Sequence, residues 1–276
     1  MAGFFTLVPG DGPRRWRLAI DPWLTVGPPE TSFMFGGVGL GATVEAAERT
    51  TGRAVVWASA QYLAYAPRGT EVEFHVVPMV EGHYTSQAQV MAEGRDGQVL
   101  RAGLSLGARP DAPRVQFVKP ARVPRPEDCP RMPLRWGYAP DDMYSRLDVR
   151  IAKGWDAAVE EAGHLVFWIR PAGAAADAAI DRPMLAIMAD FVPASIGNAL
   201  SDGTADFGAN SLDNGIRFLQ IVPTGWVQCE TRVHGAADGF GHGEMLLFAE
   251  DGTLMATASQ SVILRGLMHP RDPRGR

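Results

Sequence analysis

Asp96-Gly97-Gln98-Val99-Leu100-Arg101-Ala102 and Asp251-Gly252-Thr253-Leu254-Met255-Ala256-Thr257 lie over one another at an offset of 155, from 96 to 251. Each stretch is an Asp-Gly pair running into a strand-like segment. Asp-Gly is a strong hairpin signal, because the turn needs a positive φ that glycine supplies without steric cost. Working outward from the two turns, the same order of elements recurs. Upstream of the first lie a small-residue helix pattern over 37–50, an apolar run over 55–65, and the alternation Val72, Phe74, Val76 within 71–78. Upstream of the second lie an apolar helix pattern from 183 to about 200, then runs over 212–221 and 227–233. The chain is an internal repeat. One helix followed by antiparallel strands, twice over, predicts an α+β fold rather than a parallel α/β sheet.

Between the copies, Pro110, Pro113, Pro120, Pro124, Pro126, Pro130, Pro133 and Pro140 crowd residues 109–140, a density that excludes helix and central strand. This divides the chain into a first domain over 1–115, a Pro-rich linker over 116–140 and a second domain over 141–276. A length of 276 residues accommodates two such domains. Hydrophobic residues at 46% and charged residues at 21% exclude a disordered or fibrous class.

A net charge of -5 and a pI near 5.7 argue against a nucleic-acid partner, which would need a broad basic surface. The apolar start of the chain is short, lacks a basic leader and meets Pro9, Gly10 and Gly12, so no secretion signal is expected. The charge-free stretch 191–201 is too short for a membrane span and contains Pro193. Cys129 and Cys229 cannot build a disulfide framework or a thiolate zinc site. A cytoplasmic protein is expected, with no metal or redox cofactor.

Three motifs invite a reading that their context refuses. Gly103-Leu104-Ser105-Leu106-Gly107 has the spacing of a nucleophile elbow, but Pro110 and Pro113 follow where a helix must begin. Gly37-Val38-Gly39-Leu40-Gly41-Ala42 matches a loose dinucleotide fingerprint, yet no Val/Ile-rich strand precedes it and residues 55–65 contain no ribose-binding acid. Small residues there are expected to let the sheet close over the helix. His234, Asp238 and His242 match no common zinc spacing.

Three polar residues stand out against apolar surroundings. Asp190 is the one charged residue over 183–201, set among Met184, Leu185, Ile187, Met188, Phe191 and Val192. A buried lone carboxylate must be paired or functional, because burial disfavours its charged form. Pro193 disfavours helical geometry at Val192, which puts Asp190 at a bend or end of the helix. In the last strand, alternation places Gln260 on the same face as Leu254, Ala256, Ala258, Val262 and Leu264. Ser211 opens the strand-like segment 211–216, with no clear facing for its hydroxyl.

Met34-Phe35-Gly36-Gly37, Ala189-Asp190-Phe191, Ser211-Leu212-Asp213, the stretch 239–243 with Asp251-Gly252, and the closing segment 256–265 containing Gln260 together resemble the acyl-CoA thioesterase II family. The resemblance runs from about Trp16 to Arg265 and is specific in the order of its motifs and their two copies. It implies a tandem double hotdog, each half an antiparallel sheet wrapped around a central helix. It also implies hydrolysis of an acyl-CoA thioester by a water that Asp190, Ser211 and Gln260 orient; backbone N–H groups at a helix N-terminus, a ready anion site, are expected to polarise the carbonyl. Because exposed sheet edges must be paired or covered, the two repeats are expected to pair with each other and whole chains to associate into a homo-oligomer. The sequence departs from the family at Asn214, where His is usual, at Phe218-Leu219-Gln220, and over Trp57-Ala58-Ser59-Ala60-Gln61-Tyr62. Those departures favour, as the alternative, a non-catalytic acyl-CoA binding or interaction protein.

Overall fold

The computed structural model describes residues 3–133, 141–155, 163–201 and 205–270. The end of the expected linker, 134–140, and the extreme ends of both expected domains lie outside the described residues. The first half contributes strands β1 (Val8–Pro9), β2 (Arg15–Ala19), β3 (Thr25–Val26) and β4 (Phe33–Met34), then helix α1 (Gly36–Thr51). Strands β5 (Val55–Tyr62), β6 (Glu71–Glu81), β7 (Thr85–Gly94) and β8 (Gly97–Gly107) follow it. The second half has β9 (Leu147–Lys153), β10 (His164–Pro171), helices α2 (Arg182–Met188) and α3 (Val192–Leu200), and β11 (Ala205–Ser211). It continues through β12 (Asp213–Phe218), β13 (Val227–Ala237), β14 (Phe240–Ala249) and β15 (Leu254–Pro270).

Thirteen of the described strands form one antiparallel sheet, in the order β1-β2-β6-β7-β8-β5-β12-β15-β14-β13-β10-β9, with β11 paired to β15, while β3 and β4 pair separately. The order reads alike from either end, and its centre is the seam where β5 pairs with β12, Ser59 opposite Gly215. Joining the halves edge to edge at this seam removes one exposed strand edge from each. The fold is therefore the α+β class that the repeat predicts and the double hotdog that the family resemblance implies, with the two sheets made continuous.

The repeat is not at one offset throughout. Val76 pairs with Val90 and Thr231 with Met245, related by 155, from 76 to 231 and from 90 to 245. Ala60 pairs with Ala102 and Ile216 with Ala258, related by 156, from 60 to 216 and from 102 to 258. The second hairpin holds one residue more, and a one-residue slip exchanges the faces of a strand. Laying the two turns together thus sets Gln260 over Ser105, whereas the sheet sets it over Leu104. Ser105 lies mid-strand in β8, its hydroxyl donating to Gln87 Oε1 at 2.9 Å, with no nucleophile elbow around it.

The helices share the offset of 156. Phe35 is the N-cap of α1 and Phe191 the N-cap of α3. Their rings meet edge to face with centroids 6.1 Å apart. α1 packs on β5 to β8, and α3 on β11, β13, β14 and β15. The expected single helix over 183–200 is thus two, and α3 alone is the counterpart of α1. α2 is an additional element lying along α1, started by Asp181, whose side chain accepts from Met184 N–H.

Glycines make that helix pair possible. A Cβ on Gly37 would stand 2.7 Å from Ile187 O, and one on Gly41 2.8 Å from Pro183 O, so two bare positions one turn apart seat the backbone of α2. Gly39 alone faces the sheet side, toward Leu100. The small residues of 37–42 therefore serve helix-on-helix contact more than closure of the sheet.

Between α2 and α3 the chain leaves helical geometry at Asp190, with φ -88° and ψ 34°. Pro193 has no N–H to give Ala189, and in an unbroken helix its ring would strike that carbonyl. The break falls at Asp190 rather than at Val192, which is itself helical. Proline is then tolerated in the first turn of α3. Counted through this kink, Arg182–Leu200 is, by length and composition alone, long and apolar enough to cross a membrane, with mean hydropathy 1.3. That apolarity serves the core, since 72% of it is buried inside the protein.

Candidate active site

The kink turns the Asp190 carboxylate into the space between α1 and the second-half strands, where the residue is only 4% exposed. Its Oδ2 accepts from the backbone N–H of Gly37, in the first turn of α1, at 2.6 Å. Its Oδ1 accepts from Ser211 Oγ at 3.2 Å, from Asn214 Nδ2 at 3.5 Å, and from Gln260 Nε2. Gln260 Nε2 also reaches Ser211 Oγ at 2.6 Å. The structure brings together all three residues singled out in the sequence.

Each arrives for a local reason. Asp190 is presented by the helix break. Gln260 is buried because β15 keeps its alternation, with Ala258 and Val262 buried on the same face. Ser211 closes β11 rather than opening a strand, which corrects the sequence expectation. β11 pairs with β15 alone, whereas β12 pairs with both β15 and β5. The chain changes partners at Leu212, and the Ser211 hydroxyl turns inward at that break.

Sequence reasoning missed three contributors: Gly37 N–H, Asn214 and Tyr62. Asn214 was visible only as a departure from the family, and Gly37 only as one of several small residues. Asn214 is fully buried, and its Oδ1 has no hydrogen-bond partner among the described residues, nor has Gln260 Oε1. Tyr62 donates its hydroxyl to Gly36 O at 2.9 Å.

Burial pushes the Asp190 carboxyl up from 3.8 to about 6, against the opposing pull of its hydrogen bonds from Gln260, Gly37, Ser211 and Asn214. Phe191, whose ring lies 5.6 Å from that of Phe167 and 6.0 Å from that of Tyr144, keeps the neighbourhood apolar. The positive end of the α1 dipole faces the carboxylate, favouring its charged form. The result is a carboxyl that ionises close to neutrality, the condition for taking and returning a proton. Burial also lifts the Tyr62 phenol well above its usual range, so it stays a donor.

The family described as the acyl-CoA thioesterase C-terminal domain matches residues 126–264. A provisionally assigned thioesterase from Novosphingobium aromaticivorans is 31% identical, covering 94% of this chain and 98% of its own, with a TM-score of 0.84. In fold alone, a hot dog protein of unknown function from Alicyclobacillus acidocaldarius (18% identical, 95% and 96% covered, TM-score 0.79) is similar. So is acyl-CoA thioesterase II from Mycobacterium marinum, at 17% identity with 95% of each chain covered and a TM-score of 0.72. No curated protein sequence matches. The family match and the Novosphingobium likeness, each spanning half of the chain or more, establish that the chain belongs to the acyl-CoA thioesterase family and is an acyl-CoA thioester hydrolase.

Proposed function

We propose that Asp190 is the general base of this thioesterase, acting on a water that Ser211 and Gln260 help to hold. The supporting observation is the buried carboxyl with a pKa near 6, gripped by donors on both oxygens. The water oxygen attacks the thioester carbonyl while its proton passes to Asp190. The carbonyl oxygen, becoming an oxyanion, lies toward the N-terminal turn of α1, where the positive end of the helix dipole favours negative charge; the Gly37 N–H there stays on Asp190, and those of Val38 and Gly39 on Phe35 O. Collapse of the tetrahedral species breaks the carbon–sulfur bond, and Asp190 returns its proton to the departing CoA thiolate. The buried acceptors Gln260 Oε1 and Asn214 Oδ1 offer partners to the water's protons.

The same reading keeps the division into a first hotdog over 1–115, a connector over 116–140 and a second hotdog over 141–276. It places the protein in the cytoplasm as a homo-oligomer, where its two free, buried cysteines persist as thiols. Asp190→Asn preserves shape but cannot take a proton, so kcat should fall by roughly 10² to 10⁴. A non-hydrolysable acyl-CoA analogue should still bind. Wild-type turnover in that variant would refute the assignment.

A further inference from the structure

One peptide group carries the grip on Asp190 Oδ2. Its N–H, on Gly37, donates to that oxygen at 2.6 Å, and its carbonyl, on Gly36, accepts from the Tyr62 hydroxyl at 2.9 Å. A peptide unit is planar, with its N–H and C=O pointing in opposite directions. A donor fixed on the oxygen therefore sets the aim of the N–H at the far side. Hydrogen bonds in such a chain also polarise one another. The peptide is clasped between the two side chains: a Cβ on Gly36 would stand 2.7 Å from Asp190 Oδ2 and 3.1 Å from Tyr62 Cζ.

Tyr62 is itself anchored to the strand break beside the site. It ends β5 at the seam, and its backbone N–H donates to Leu212 O at 2.9 Å, immediately after Ser211. We infer that Tyr62 is a positioning residue: through the Gly36–Gly37 peptide it orients and polarises the N–H that holds Asp190, and so governs how readily that carboxylate takes a proton. This rests on Asp190 being the base. It makes a side chain of the first repeat a controller of chemistry whose acid, serine and glutamine all belong to the second. The titratable groups sharing this field are the Tyr62 phenol and the Asp213 carboxylate, whose Oδ1 accepts from Ser261 N–H.

The test is steady-state hydrolysis of decanoyl-CoA and hexanoyl-CoA from about pH 5 to pH 9 by four proteins: wild type, Tyr62→Phe, Asp190→Asn and the double variant. Tyr62→Phe should lower kcat about tenfold with KM changed less than about twofold, and should raise the acid limb of the kcat profile by roughly half a unit. In the Asp190→Asn background the same change should have no further effect. A fall in melting temperature with kcat and acid limb unmoved would overturn the inference and leave Asp190 standing. A Tyr62→Phe effect that persists without the carboxylate would overturn it too, placing Tyr62 on the substrate. Turnover retained in Asp190→Asn would instead remove the base assignment beneath it. Should Tyr62→Phe fail to fold, 3-fluorotyrosine at position 62, a stronger donor, should move the acid limb down, and an unmoved limb would overturn the inference.

Discussion

At the scale of single residues, one titration at Asp190 ties stability to activity with opposite signs. Its folded pKa, about 6, is raised above the ordinary 3.8. The stability tied to its proton is therefore present below about pH 4 and is lost as pH rises through 6. Catalysis needs the ionised form, so kcat should rise about tenfold per unit below pH 6 and level off above it. Asp190→Asn removes the buried charge. At pH 7.5 it should raise unfolding stability by about 1 to 3 kcal/mol, and chemical denaturation at pH 4 should show the gain nearly gone. A stability loss at pH 7.5 would mean that the lost hydrogen bonds outweigh the relieved charge. Ser105 provides the contrast. Ser105→Ala should leave hydrolysis nearly unchanged, and a hundredfold loss would reopen a serine-hydrolase reading.

At the scale of elements, the contact between α1 and α2 leaves no room for a methyl group at either of its two bare positions, Gly37 and Gly41. Gly41→Ala would drive Cβ toward the backbone of Pro183, which has no rotamer by which to yield, and toward Ile187 Cγ1 at 3.2 Å. The expected cost is about 1 to 3 kcal/mol, read as a lower melting temperature. Gly41 lies one turn beyond Gly37, so the pH profile of the remaining activity should stay put. A shifted acid limb would show that the helices move as a unit around Asp190. The kink follows the same logic, since Pro193 breaks the helix and the break exposes one carboxylate to four donors.

At the scale of the whole molecule, a nearly symmetric fold carries an asymmetric site. By the offset of 156, the counterparts of Asp190, Ser211, Asn214 and Gln260 are Met34, Val55, Ala58 and Leu104, all buried and apolar. The counterpart of Gly37, whose N–H holds the carboxylate, is Pro193, which has no N–H to offer. Every polar contribution on one side is matched by its deletion on the other. Calorimetric titration of a non-hydrolysable acyl-CoA analogue should therefore give one site per chain, and two equivalent sites would contradict this account.

Much of this was legible in the sequence because the signals were local. Two Asp-Gly turns with matching flanks gave the repeat and the fold class. Alternation along β15 buried Gln260, and a lone acid in an apolar helix marked Asp190. What the sequence could not supply were relations between distant segments. The extra residue in the second hairpin is invisible when the turns are laid together, yet it decides that Gln260 answers to Leu104 and not Ser105. The seam between β5 and β12, the docking of α2 on bare glycines, and the arrival of Gly37 N–H and Tyr62 at a carboxylate 153 positions from Gly37 depend on packing. Periodicity fixes which way a side chain faces along its own element. Only the tertiary fold, by burying the carboxylate and bringing its donors from both repeats, decides what it faces and at what pH it ionises.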